Sequence, residues 1–177
     1  MNLVLIGYRG TGKSVVAEIL SQKLDMPSVS LDEEIVREAG MPIPEIVEKH
    51  GWPWFRDLES SVTRRFAERD GLILDTGGGV ILRPENTENL SRGGALFWLE
   101  ASVEVIVERI QGSTERPSLT EGKSFLQEVA EVLEERLPLY RAAADRAIAT
   151  DVLSPAAVAD EIIREFRPLA AEGSARA

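Results

Sequence analysis

The chain has 177 residues, a formal net charge of -10, 44% hydrophobic and 28% charged residues, and no cysteine. That length suits one domain able to bury its own core, and the composition is that of an ordinary globular protein. The acidic balance argues against nucleic-acid or anionic-membrane partners, and the lack of cysteine excludes disulfides and thiolate metal sites.

Leu3 to Ile6 is an apolar run that reads as a buried strand, with no secretory leader before it. It leads into Gly7-Tyr8-Arg9-Gly10-Thr11-Gly12-Lys13-Ser14, a full match to Gly-x-x-x-x-Gly-Lys-Ser/Thr. Val15, Val16, Ile19, Leu20 and Leu24 then follow a helical spacing. Strand, glycine loop and helix together make a phosphate-binding loop. Its backbone N–H groups, through Gly10, Thr11, Gly12 and Val15, are expected to converge on phosphate oxygens at a helix N-terminus. Lys13 is expected to reach the β- and γ-phosphates, and the Ser14 hydroxyl to ligate Mg²⁺.

Ser28 to Leu31 is a short strand candidate, and Asp32-Glu33-Glu34 suits the first turn of a helix that Gly40 closes. A second short helix opens at Pro42 and Pro44, and Gly51-Trp52-Pro53-Trp54 breaks it. A third helix is expected from about Phe55 to Glu68. Leu72 to Asp75 is an apolar strand ending in an acid, followed by Thr76-Gly77-Gly78-Gly79. Such a strand end can carry a second Mg²⁺ group opposite the Ser of the phosphate loop. The alternative is an Asp75 that caps the glycine turn through backbone amides.

Ala95 to Leu99 is the next strand, followed by an amphipathic helix from Val103 to Ile110. The polar stretch 112–124 reads as a mobile loop, with Arg116 just before Pro117. A long helix from Phe125 carries Arg136. Ala147 to Ala149 is a short strand, and Ser154-Pro155 starts a last helix. Residues 169–177, past Pro168, are small and polar and read as a disordered tail. Alternating strands and helices predict a three-layer α/β/α domain over residues 1–168 with a five-stranded parallel sheet. No apolar run approaches a membrane span, so the reading is a cytoplasmic enzyme, monomeric, acting on small molecules.

With a negative overall field, local cations must neutralise phosphate: the candidates are Arg9, Lys13, Arg56, Arg109, Arg116 and Arg136. The ordered signatures Gly7 to Ser14, Asp32, Phe55-Arg56-x-x-Glu59, Thr76-Gly77-Gly78-Gly79, Arg116-Pro117-x-Leu119 and Arg136-x-x-x-Tyr140 resemble the shikimate kinase family over nearly the whole chain. The resemblance implies a P-loop fold like that of nucleoside monophosphate kinases, with a helical insert at about 32–62 and a lid at about 112–124. It also implies transfer of the γ-phosphate of ATP to the 3-hydroxyl of shikimate. Asp32, Arg56, Arg136 and Gly77-Gly78-Gly79 are then the acceptor pocket, with Asp32 taking the hydroxyl proton and Glu59 holding Arg56. Arg116 is the lid arginine, catalytic with Lys13, and Arg109 and Pro155 sandwich the adenine.

The chain departs from that family where Asp-x-Asp is usual, because Ser30-Leu31-Asp32 stands there. Asp75 replaces a usually small residue and is the candidate to restore a carboxylate beside Ser14 as a metal ligand. A gluconate kinase and a nucleotide-binding relative without catalysis are the competing readings; Ser30 is what favours the second.

Overall fold

The computed structural model describes residues 1–111 and 125–174. Five parallel strands form the sheet: β1 (Asn2–Ile6), β2 (Ser28–Ser30), β3 (Ile73–Asp75), β4 (Gly94–Glu100) and β5 (Arg146–Ala149). Their order is β2-β3-β1-β4-β5. β1 lies between β3 and β4, with Val4 opposite Leu74 on one side and Leu96 on the other. The helices are α1 (Lys13–Leu24), α2 (Leu31–Ala39), α3 (Ile43–Ala67), α4 (Pro84–Gly93), α5 (Val103–Gln111), α6 (Phe125–Ala143) and α7 (Pro155–Ser174). Among the described residues no helix is long and apolar enough to cross a membrane.

Side chains alternate across a strand, so one run of apolar residues feeds two cores. Val4 and Ile6 of β1 point to the core built with Ile35, Ile46, Phe55, Val62 and Tyr140. Leu3 and Leu5 point to the opposite core with Val16, Leu20, Val158 and Ile162. The expected three-layer α/β/α architecture is therefore present, with α1 and α7 on one face and α2, α3, α4 and α6 on the other. Tyr8 joins a third cluster with Ile106, Val107, Val129 and Leu133 from α5 and α6.

Two expectations need correction. The insert does bend at Gly51, whose φ of 80° and ψ of 167° are not helical. The helix resumes at once, however, so Trp52, Pro53 and Trp54 belong to the second segment and do not form a break. Pro53 fits there because the first turn of a helix needs no N–H from it. The last helix also runs further than Pro168, since α7 continues to Ser174. Leu169 and Ala170 pack against the core that contains Phe166, and that burial carries the helix past its proline.

In an open parallel sheet, ligands sit beyond the carboxyl ends of the strands where the strand order reverses. Here the chain moves from β1 to the edge strand β2, comes back to β3 beside β1, and then crosses to β4 on the other side. The segments leaving β1, β2 and β3 thus share one edge: the phosphate loop, Asp32 and the Gly77–Gly79 turn.

Candidate functional site

Gly12 precedes α1 with φ 92°, so the loop enters the helix without a side-chain cap and its first N–H groups stay available to an anion. Thr11 is buried and donates its hydroxyl to Tyr8 C=O at 2.8 Å, which braces the loop from inside. Lys13 Nζ donates to Gly7 C=O at 2.9 Å and Tyr8 C=O at 3.1 Å. Burial pushes its pKa down, against the pull of Asp75 and Asp32. The ammonium is thus held over the loop by neutral carbonyls, ready for stronger acceptors.

A cleft of about 510 Å³ lies over this loop, lined by Arg9, Gly10, Gly12, Lys13, Ser14, Val15, Ser30, Asp32, Asp75, Thr76, Gly78 and Arg109. Val15 is half-exposed at its rim. Ser14 Oγ donates to Asp75 Oδ2 at 2.6 Å. Burial pushes the Asp75 pKa up, and the Ser14 bond and Lys13 oppose it. The glycine turn is closed by its own bonds, Val80 N–H to Gly77 C=O at 3.2 Å and Leu82 N–H to Gly79 C=O at 3.0 Å. Asp75 is therefore placed toward Ser14. Two hard oxygen donors side by side fit Mg²⁺, which prefers one or two protein oxygens and completes its shell with water and phosphate. Ser30 has a different job: its Oγ accepts the Glu33 N–H at 3.3 Å and caps α2.

The glycine turn is where the acceptor residues meet. A methyl group on Gly77 would lie 2.5 Å from Asp32 Oδ1, and one on Gly79 would overlap the Arg56 guanidinium. Both side chains thus occupy the space that a Cβ at Gly77 or Gly79 would take. Gly78 C=O accepts from Arg136 NH1 at 3.1 Å and from Tyr140 Oη at 2.5 Å. Arg56 NH1 donates to Glu59 Oε2 at 2.6 Å, one turn along α3. Glu59 is buried, which pushes its pKa up, while Arg56 pulls it down. The Arg56 guanidinium also lies 5.3 Å from the Trp52 ring and 5.0 Å from Phe55. Asp32, Arg56 and Arg136 are thereby gathered on one turn beside the phosphate loop.

On the far side of the cleft, Arg109 donates NH2 to Thr150 C=O at 2.8 Å, and NH1 to Thr150 Oγ1 at 3.1 Å and Gly10 C=O at 3.4 Å. Pro155 opens α7 behind Ser154, whose Oγ accepts the Ala157 N–H at 3.2 Å. Arg109 lines the cleft and Pro155 does not. Arg116 lies outside the described residues. His50 is exposed and stacks on Trp54 at 4.6 Å, far from any catalytic duty, as a helix-end surface group should be.

Sequence reasoning named Tyr140 in a signature without giving it a role, and it missed Thr150. Tyr140 is fully buried, and burial pushes its pKa well up, so its hydroxyl stays protonated and fixes Gly78. Its spacing after Arg136, one helical turn, was the available signal. Thr150, which holds Arg109 by two bonds, carried no signal, because a lone Thr after a short strand has many uses.

Comparison with known proteins agrees with this geometry. The family model for shikimate kinase matches residues 9–167. A shikimate kinase of Thermodesulfovibrio yellowstonii is 40% identical over 168 residues, covering 95% of this chain and 96% of that protein. A shikimate kinase structure from Acinetobacter baumannii, in complex with shikimate, superposes with a TM-score of 0.87 at 33% identity, over 94% of this chain and 93% of that one. A Sinorhizobium meliloti gluconokinase shares the fold, at a TM-score of 0.63 and 22% identity over 99% of this chain and 97% of its own. A phosphate loop abutting a triple-glycine turn that two arginines and an aspartate share, matched along almost its full length, places this chain in the shikimate kinase family.

Proposed function

We infer that the chain transfers the γ-phosphate of ATP to the 3-hydroxyl of shikimate, giving ADP and shikimate 3-phosphate. The observation that carries this reading is the set Asp32, Arg56 and Arg136 on the Gly77–Gly79 turn, next to Lys13 and Ser14. Guanidinium groups bind a carboxylate through paired N–H donors, so Arg56 and Arg136 suit the acid group of shikimate. Asp32 suits the attacking hydroxyl, whose proton it accepts as the new O–P bond forms and the β–γ bond breaks. Charge on the phosphoryl oxygens is met by Lys13 and the loop amides, so positioning and electrostatics supply the rate. Ser14 and Asp75 are the residues to hold Mg²⁺, which when bound neutralises charge on the β- and γ-phosphates. Arg109 and Pro155 are assigned to the adenine, and Arg116 to the transition-state charge.

The reading as a nucleotide binder without catalysis loses its main support. Ser30 is used as a helix cap, and a carboxylate stands beside Ser14 from β3 instead. We place the enzyme in the cytoplasm as a monomer that acts on small molecules. The test is ADP release from ATP and Mg²⁺ with and without shikimate, and with gluconate as the competing acceptor. Shikimate-dependent turnover is expected; turnover with gluconate alone would overturn the assignment.

A further inference from the structure

Three side-chain cations line the cleft: Arg9, Lys13 and Arg109. Lys13 is bound to two loop carbonyls, and Arg109 to Thr150 and Gly10. Arg9 differs from both. Its Nε is shut from water and has no hydrogen-bond partner among the described residues. Its guanidinium is held instead by two rings, 5.8 Å from the Tyr8 centroid and 5.8 Å from Phe125. The Tyr8 ring is itself buried and also carries Arg136 at 5.7 Å.

Aromatic faces fix a guanidinium without consuming its N–H donors. A buried donor with no acceptor is rare in a folded chain and calls for an explanation, of which a bound anion is one. The position says which ligand. Arg9 is the third residue of the phosphate loop, and its backbone N lies 3.2 Å from where a Cβ on Gly78 would stand. Gly10 and Arg109 take the opposite, base side of the loop. Arg9 thus lines the cleft with its backbone at the seam between the phosphate loop and the Gly77–Gly79 turn, where the transferred group would cross.

We propose that Arg9 is a further phosphoryl-binding residue, whose guanidinium meets the γ-phosphoryl during transfer, held in aim by Tyr8 and Phe125. This rests on the phosphotransferase reading above. An N–H donor directed at charge that develops in the transition state acts on turnover more than on ground-state binding. The shikimate carboxylate is the competing anion, and the experiment separates the two.

The test compares wild type, Arg9→Gln and Arg9→Lys by steady-state kinetics in both substrates. Calorimetric binding of ADP, alone and with aluminium fluoride as a mimic of the phosphoryl in flight, is measured alongside. Arg9→Gln is expected to lose kcat on the order of a hundredfold. KM for shikimate and affinity for ADP alone should stay within about threefold, since the removed contact belongs to the transition state. The extra affinity that aluminium fluoride gives ADP should fall in Arg9→Gln and return in part in Arg9→Lys. An unchanged kcat with unchanged fluoride-dependent tightening overturns the proposal. So does a loss confined to KM for shikimate, which assigns Arg9 to the carboxylate. Wild type that fails to turn over shikimate refutes the phosphotransferase reading instead, and the fluoride comparison still decides whether Arg9 binds a phosphoryl group.

Discussion

Asp75 and Ser14 meet across 61 residues of sequence at 2.6 Å. Asp75→Asn keeps the shape but removes the charge that a divalent cation needs. The Mg²⁺ concentration for half-maximal rate should rise by about tenfold or more; an unchanged requirement would remove Asp75 from the metal site. Arg136→Ala leaves Gly78 C=O to Tyr140 alone and takes one guanidinium from the acceptor. KM for shikimate should rise about 10- to 100-fold with a smaller change in kcat, as kinetics in varied shikimate will show. Glu59 gives a pH signature. Its folded pKa is raised by burial, so its favourable contribution is present below the unfolded value of about 4.3 and is lost as pH rises through the folded value. Glu59→Gln should therefore be no less stable than wild type at pH 7, and the two melting curves should converge in acid. The same variant should raise KM for shikimate, because the Arg56 guanidinium keeps an amide acceptor but loses the carboxylate charge that holds it. At this scale the sequence was informative wherever a motif fixed both residue type and spacing, as in Lys13, Ser14, Asp32 and the arginines. It was silent on Thr150, and on Asp75 it left a metal role and a turn cap open, because strand pairing alone decides which side chain a strand-end carboxylate meets.

The proposed acceptor site depends on the glycine turn after β3. Gly79 has φ -107°, a conformation open to any residue, so alanine there strains no backbone. Its methyl would instead displace the Arg56 guanidinium. Gly79→Ala should fold with a melting temperature near that of wild type yet lose most of its affinity for shikimate, which circular dichroism and substrate titration will separate. Elements were legible from period and punctuation, and most expected helices and strands stand near where they were placed. The errors fall at prolines. Pro53 and Pro168 both look like breakers in sequence, yet one sits in a first turn and the other is outweighed by the burial of Leu169 and Ala170. Propensity is local, and tertiary packing overrode it.

For the whole molecule, α7 beyond Pro155 packs on one face of the sheet, and among the described residues none of that part lines the cleft. Removal of residues 168–177 uncovers part of that core, a loss of about 1–2 kcal/mol for the apolar surface of one leucine and its neighbour. A fall in melting temperature of roughly 2–8 °C is expected by calorimetry for a domain of this size, with both KM values unchanged. The fold class, a parallel sheet between helical layers, was readable because strand and helix patterns alternate along the chain. The strand order was not, since nothing in one sequence says on which side of β1 each later strand will pair. That order is what sets the phosphate loop, Asp32 and the glycine turn on one edge.

The bend at Gly51 divides the insert mechanically. Beyond it, Phe55, Glu59, Val62 and Phe66 are buried and tie Arg56 to the body of the protein. Before it, the segment from Ile43 to His50 is anchored by Ile46 alone among fully buried residues. That arm is about 12 Å long at 1.5 Å per residue, so a rotation of about 10° at one glycine moves its far end by about 2 Å. Arg56, on the fixed side of the pivot, does not travel with it. The segment before the bend can thus shift against the body of the protein while Arg56 and its Glu59 partner keep their alignment.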